Sequence, residues 1–262
     1  SLLAVLVNAN DDVLLLLAIA GASVVALPRP SMLRSPWLWA ALFAAVGTRQ
    51  LLGWHQMDDH VVVTTYWSGA IALALSATDP RRTLAAASRL LVGTVFLFAA
   101  GWKLRSGEFA DGTFFRYTLL FDSRFETVAR GLGGTTDALL TDGAASLQRL
   151  ATAPEVGTDA LIQEGARNPA LARVFTTWGI AIESLVAVAF LMPLPRRWEW
   201  CRHGSLLAFA VTTYLVVPVG GFGTLLLVLG SAQASSDRLR VAYLWGGVAL
   251  LLWSWIWLPV FL

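Results

Sequence analysis

Apolar runs long enough to lie across a lipid bilayer recur along the chain, and no other feature restricts its fold as much. They cover residues 13–27, 36–53, 61–77, 83–102, 174–192, 204–217, 222–232 and 241–261. A helix needs roughly 20 apolar residues to cross the hydrocarbon, and only helices or closed barrels satisfy their backbone groups there. The pattern predicts an all-α chain, a polytopic integral membrane bundle of about eight transmembrane helices, with the shorter runs extending into their flanks or re-entering. Composition agrees: 56% of residues are hydrophobic, 14% are charged and the mean hydropathy is +0.64, which excludes an ordinary soluble globular domain. No repeat or low-complexity linker divides the sequence, so residues 1–262 read as one domain.

Cys201 is the single cysteine, which rules out an internal disulfide framework and multi-cysteine metal motifs. The first run ends in "ASVVA", similar to a signal-peptide cleavage site, but Asp11 and Asp12 stand where such a signal carries basic residues. The chain opens on Ser1 without a methionine, and an upstream piece is expected. Arg29, Arg34, Arg81, Arg82, Arg196, Arg197, Arg202, Arg238 and Arg240 fall in alternate loops, whereas "WHQMDD" and "PVGGF" carry no Lys or Arg. The positive-inside rule puts the arginine loops in the cytoplasm, and the "WHQMDDH" turn, Lys103 and the segment 104–170 on the outer face. A pI near 9.0 then reflects topology and anionic headgroups of the lipid bilayer, with no nucleic-acid partner required. Segment 104–170 is too long for a bare connector. Its pieces "FFRYTLLFDSRFETVARGL", "TDALLTDGAASLQRLA" and "PALARVF" mix apolar and charged residues at helical spacing, predicting short amphipathic helices that form a lid over the outer mouth of the bundle.

Lys103 closes the run "FLFAAGWKL" and has two readings. It snorkels, its stem along apolar surface and its ammonium in the headgroups, or it turns into the bundle as a base. Phe96, Ala99, Ala100 and Lys103 share one helix face, and the small residues leave room for a flat ligand or a neighbouring helix. In "GWHQMDDHVVV", His55, Asp58, Asp59 and His60 admit three readings: a divalent metal site, an Asp59 cap on a solvated turn, or catalysis by His60. The spacing matches no strong metal signature, and no metal is expected. Glu183 lies within an apolar run, where an acid must be paired, protonated or facing water, and Arg49 is named as its partner. His203, beside Arg202, reads as an interfacial histidine, and most tryptophans as interface belts. Trp54 and Trp102 flank the Lys103 region and are candidates for stacking against a ligand.

Two of these segments resemble a known family. "DDHVVV" opening one helix, followed by "FLFAAGWKLRSGEFADGTFF" closing the next, is similar to the vitamin K-dependent gamma-carboxylases and the related horizontally transferred transmembrane (HTTM) domain. The "GIAIESLVAVAFLM" and "GGFGTLLLVLG" stretches add an in-membrane acid, Glu183, and a Gly-Phe pair that includes Phe222. The resemblance implies a lyase and oxygenase chemistry in which Lys103 deprotonates vitamin K hydroquinone, or a menaquinol, and His60 assists. Reaction with dioxygen then gives an epoxide and a strong base. The ligand pocket it implies involves Trp54, His55, Phe96, Ala99, Trp102 and Phe222. The carboxylases carry a large soluble domain after the membrane part, whereas this sequence ends at Leu262, so carboxylation of a peptide substrate requires a separate soluble partner protein. The alternatives are a non-enzymatic membrane factor that helps mature or export a secreted peptide, and a transporter with Arg49 and Glu183 as coupling residues.

Overall fold

The computed structural model of the chain describes residues 29–53, 59–152, 163–193, 195, 198–217 and 219–261, and every regular element among them is helical. In chain order the α-helices are α1 (Pro36–Leu52), α2 (Asp59–Ser76), α3 (Pro80–Arg105), α4 (Gly107–Ala110), α5 (Thr113–Phe121), α6 (Glu126–Gly131), α7 (Asp137–Thr152), α8 (Asn168–Leu191), α9 (Glu199–Tyr214), α10 (Gly220–Gln233) and α11 (Asp237–Phe261). The first apolar run, 13–27, lies outside the described residues. Among the described residues, two helices, α3 and α8, are long and apolar enough to cross a membrane, while the apolar stretches of α2 and α10 are shorter. Large apolar side chains remain exposed on both long helices, among them Leu97, Phe98 and Leu104 on α3 and Val174, Leu185 and Val188 on α8. Exposed apolar surface of this extent marks contact with lipid or a partner.

The chain divides into two compact units, one of residues 1–97 and 185–258, the other of 98–184 and 259–262. In the first unit, local chemistry sets the helix ends. Ser35 is extended ahead of Pro36, whose fixed φ suits a first helical turn, and the Gly53 N–H closes α1 on the Arg49 carbonyl at 3.1 Å. Asp79 Oδ1 accepts from the Arg82 N–H at 3.1 Å, capping α3. The hydroxyls of Thr64, Thr65 and Ser68 donate to carbonyls four residues earlier in α2, so an apolar helix carries them without orphaned donors. α1 packs on α2, and α10 on both α2 and α9. Trp67, Phe190, Leu206, Leu225, Leu226 and Leu229 form the core. Glycines admit α11 against α10: a Cβ at Gly223 would stand 2.3 Å from Leu250, and one at Gly230 2.4 Å from the Tyr243 ring.

The second unit holds α4 to α7, the end of α3 and most of α8. The amphipathic pieces predicted between residues 104 and 170 are present as α5, α6 and α7. "PALARVF" differs: it is the opening of α8, not a separate surface helix, because its apolar spacing continues unbroken into the next run. The turn into α5 runs through Gly112 at φ 85°, with Asp111 Oδ1 accepting the Thr113 N–H at 2.8 Å. That N–H, and then the Thr113 side chain, hold the Asp111 carboxyl below its ordinary value. At the head of α8, Asn168 and Thr135 are both buried and exchange side-chain hydrogen bonds at 3.0 and 3.2 Å.

Candidate functional site

Within the second unit, the last turn of α3 brings Lys103 to Glu183 of α8, and Lys103 Nζ donates to Glu183 Oε1. The side chains are 18% and 10% exposed, so both charges are largely out of water. The sequence named Arg49 as partner of Glu183; the partner is Lys103. Arg49 is exposed near the end of α1, its guanidinium beside Gly53. An acid in an apolar helix is costly unless paired, and the hydrogen bond from Lys103 offsets part of that cost.

The pairing is incomplete in one respect. Glu183 Oε2 is buried and has no hydrogen-bond partner. Thr176 lies seven residues earlier on the same helix face, and its hydroxyl is also buried without a partner. Between them, Gly179 has no atom of the described residues within 4 Å of where a Cβ would sit. One face of α8 therefore presents a free polar atom, an open space and a second free polar atom, spaced over roughly 10 Å of helix axis. Buried polar atoms are ordinarily satisfied, so two orphans flanking a gap mark a place where a ligand's polar groups can bind.

An aromatic ring lies beside the lysine. The Phe109 centroid lies 5.3 Å from Lys103 Nζ, within cation–π range, and Phe109 stacks on Phe114 at 4.2 Å. Phe115 touches Phe109, Phe114, Phe125 and Phe175, joining α4 and α5 to the first turns of α8. Arg116 holds Glu164 through a two-pronged ion pair that ties α5 to the segment entering α8, and this hydrogen-bonded carboxylate pushes the Arg116 pKa upward. Lys103 thus lies beside Phe109, which belongs to a cluster of phenylalanines on α4, α5 and α8.

Lys103 is the only lysine among the 19 Lys and Arg residues of the chain. A guanidinium stays charged at any ordinary pH, whereas an amine can give up its proton. That contrast is legible in the sequence and marks Lys103 more sharply than its position at a helix end.

The other named residues are distributed as follows. His60 is the second residue of α2, half-buried, in the first unit; its carbonyl accepts from Thr64 Oγ1 at 2.8 Å. Asp59 opens that helix, and Trp54 and His55 lie outside the described residues. Phe96 is buried in the first unit with its ring edge-on to Phe209 at 4.6 Å, and Phe222 is half-buried near the start of α10. Ala99 is half-buried, whereas Trp102 is 69% exposed. His203 is 1% exposed, packed against Tyr243, a residue the sequence did not single out. The signal for it was Glu199, four residues before His203 and so on the same helix face. No family model, curated protein or solved structure matches this chain.

Proposed function

We propose that this chain is a multi-pass membrane protein of about eight spans, with α4 to α7 as its lid, whose Lys103–Glu183 pair takes a proton from a hydroquinone of the vitamin K or menaquinol type. The observation that carries the reading is the buried, partnerless Oε2 of Glu183 in a pair made by the chain's only lysine. The groups present fit such a ligand. Glu183 Oε2 accepts a hydrogen bond from one hydroxyl, Thr176 Oγ1 meets a polar group at the far side of the ring, and the space at Gly179 takes the ring between them.

A bound hydroquinone supplies an acidic hydroxyl and the reducing equivalents for dioxygen. The protein's part is the proton. Lys103 and Glu183 share one proton along their hydrogen bond, as ammonium and carboxylate or as amine and acid. Whichever atom takes the incoming proton, the pair ends as ammonium and neutral acid, one positive charge richer, so the pair as a unit is the base. In this reading Phe109 and the rings packed on it limit the water that reaches that charge and any strong base formed nearby.

The test is direct. The full chain in lipid nanodiscs, given vitamin K hydroquinone and oxygen, is expected to form the quinone epoxide. Lys103→Met and Glu183→Gln should each reduce the rate by about 100-fold or more. No epoxide from the folded wild-type protein would end this reading. The non-enzymatic role in peptide maturation would then stand, with the Lys103–Glu183 pair as a structural tie between α3 and α8.

A further inference from the structure

A second polar chain lies wholly within the unit of residues 1–97 and 185–258, and the proton chemistry above makes no use of it. His203 on α9 and Tyr243 on α11 are each 1% exposed, with His203 Nδ1 and Tyr243 Oη 2.8 Å apart. The other ring nitrogen, Nε2, is buried, has no hydrogen bond, and stands 3.6 Å from Glu199 Oε1. Glu199 is 26% exposed, so this carboxylate reaches water while its two companions do not. The arrangement fixes the protons. A carboxylate facing Nε2 favours a proton on that nitrogen, which leaves Nδ1 as the acceptor of the Tyr243 hydroxyl. Arg202 is another charged group beside the chain, with Arg89 close enough to act on it in turn; the Arg202 Nε donates to the Ala189 carbonyl at 3.2 Å and its guanidinium lies 6.0 Å from the Phe190 ring.

Tyr243 belongs to this chain and also to the wall of a cavity of about 400 Å³. Trp67 of α2, Leu84 of α3, Thr224 and Val228 of α10 and Val248 of α11 share that wall, which is mostly apolar. A glycine at 230 is what lets the ring lie there, because a Cβ would stand 2.4 Å from its Cε1 atom. With its proton given to His203, the phenol oxygen keeps lone pairs for another donor.

We infer that Glu199, His203 and Tyr243 form a proton relay between the protein surface and this cavity, and that the cavity takes an apolar aromatic alcohol whose hydroxyl donates to Tyr243 Oη. In the transfer, the ligand O–H bond breaks as its proton joins Tyr243 Oη, and the proton of Tyr243 passes to His203 Nδ1. The ligand becomes an alkoxide or phenoxide, and the imidazolium at His203, held by Glu199, balances its charge. No electrons change hands, and Lys103 and Glu183 take no part.

The probe is 2-naphthol, which turns strongly acidic on excitation and reports a nearby base by naphtholate emission, with 2-methoxynaphthalene as the hydroxyl-free control. The full chain in lipid nanodiscs, corrected for empty nanodiscs, is expected to bind 2-naphthol more tightly than the control and to show naphtholate emission. Tyr243→Phe should weaken 2-naphthol about fivefold, abolish that emission and leave 2-methoxynaphthalene binding unchanged, which also shows the variant is folded. His203→Gln should keep 2-naphthol affinity within about twofold while losing the emission. Equal affinity for the two probes in the wild type means that the cavity takes any apolar molecule, a lipid tail included, and overturns the inference. Emission that persists in Tyr243→Phe or His203→Gln overturns it as well.

Discussion

Lys103–Glu183 and Tyr243–His203–Glu199 both keep titratable groups out of water, by different means. The first sets two opposite charges in contact and leaves one carboxylate oxygen and a neighbouring hydroxyl unsatisfied. The second joins a phenol and an imidazole and gives the chain an outlet at a carboxylate that water reaches. In the two proposals, a proton arriving at the first stays on the pair as added charge. One arriving at the second is passed along, and the charge comes to rest beside a counter-ion near the surface. The first arrangement suits a base that must be renewed after each turnover, the second a conduit.

The largest effect expected on stability comes from taking away half of the charged pair. Lys103→Met leaves a carboxylate in apolar surroundings and should lower the unfolding free energy by about 3 kcal/mol, whereas the double variant Lys103→Met with Glu183→Leu should recover most of it. Equilibrium unfolding of the two single variants and the double in detergent gives the coupling, and a double variant as unstable as the single ones would mean the pair is not isolated from other partners. Next comes Gly230→Ala, whose new methyl collides with the Tyr243 ring and should cost roughly 1–3 kcal/mol through overpacking, read as a fall in melting temperature. Tyr243→Phe removes the donor to a buried imidazole nitrogen and should cost about 1–2 kcal/mol; a negligible change would argue that His203 finds another partner.

The smallest effect belongs to an exposed pair that serves as a baseline for the buried one. Partial burial alone would raise the Asp122 carboxyl, but hydrogen bonds from the Arg124 side chain and backbone outweigh it and hold the group below its ordinary value. A lowered folded-state value stabilises the protein above the unfolded-state value near 4, and this contribution is lost as pH falls through the folded value. Solvent screening keeps it under about 1 kcal/mol, and salt should weaken it further. Asp122→Asn should therefore leave stability at pH 3 nearly unchanged and lower it slightly at pH 6, as pH-dependent unfolding would record.

Helical structure was legible in the apolar runs because period and length are local properties. Lys103 and Glu183 each stood out for a local reason as well, a cation at the rim of an apolar run and an acid within one. Their pairing did not, since 80 residues separate them and any cation in the chain was an equally good partner on paper. The burial of His203 was not legible, because it depends on which helix face meets α11. Tyr243 was passed over because an aromatic residue near a helix start reads as an interface anchor, and the glycine that makes room for it belongs to another helix. Contacts across helices are set by packing, and one sequence read along its length carries them only as unexplained small residues.

That the chain uses lysine once has a practical consequence. Reductive methylation with isotope-enriched formaldehyde places a single side-chain label, at the amine bonded to Glu183, and its chemical shift follows that nitrogen's protonation directly. The state of the candidate base is thereby readable in the intact protein in a bilayer, with no mutation and no substrate.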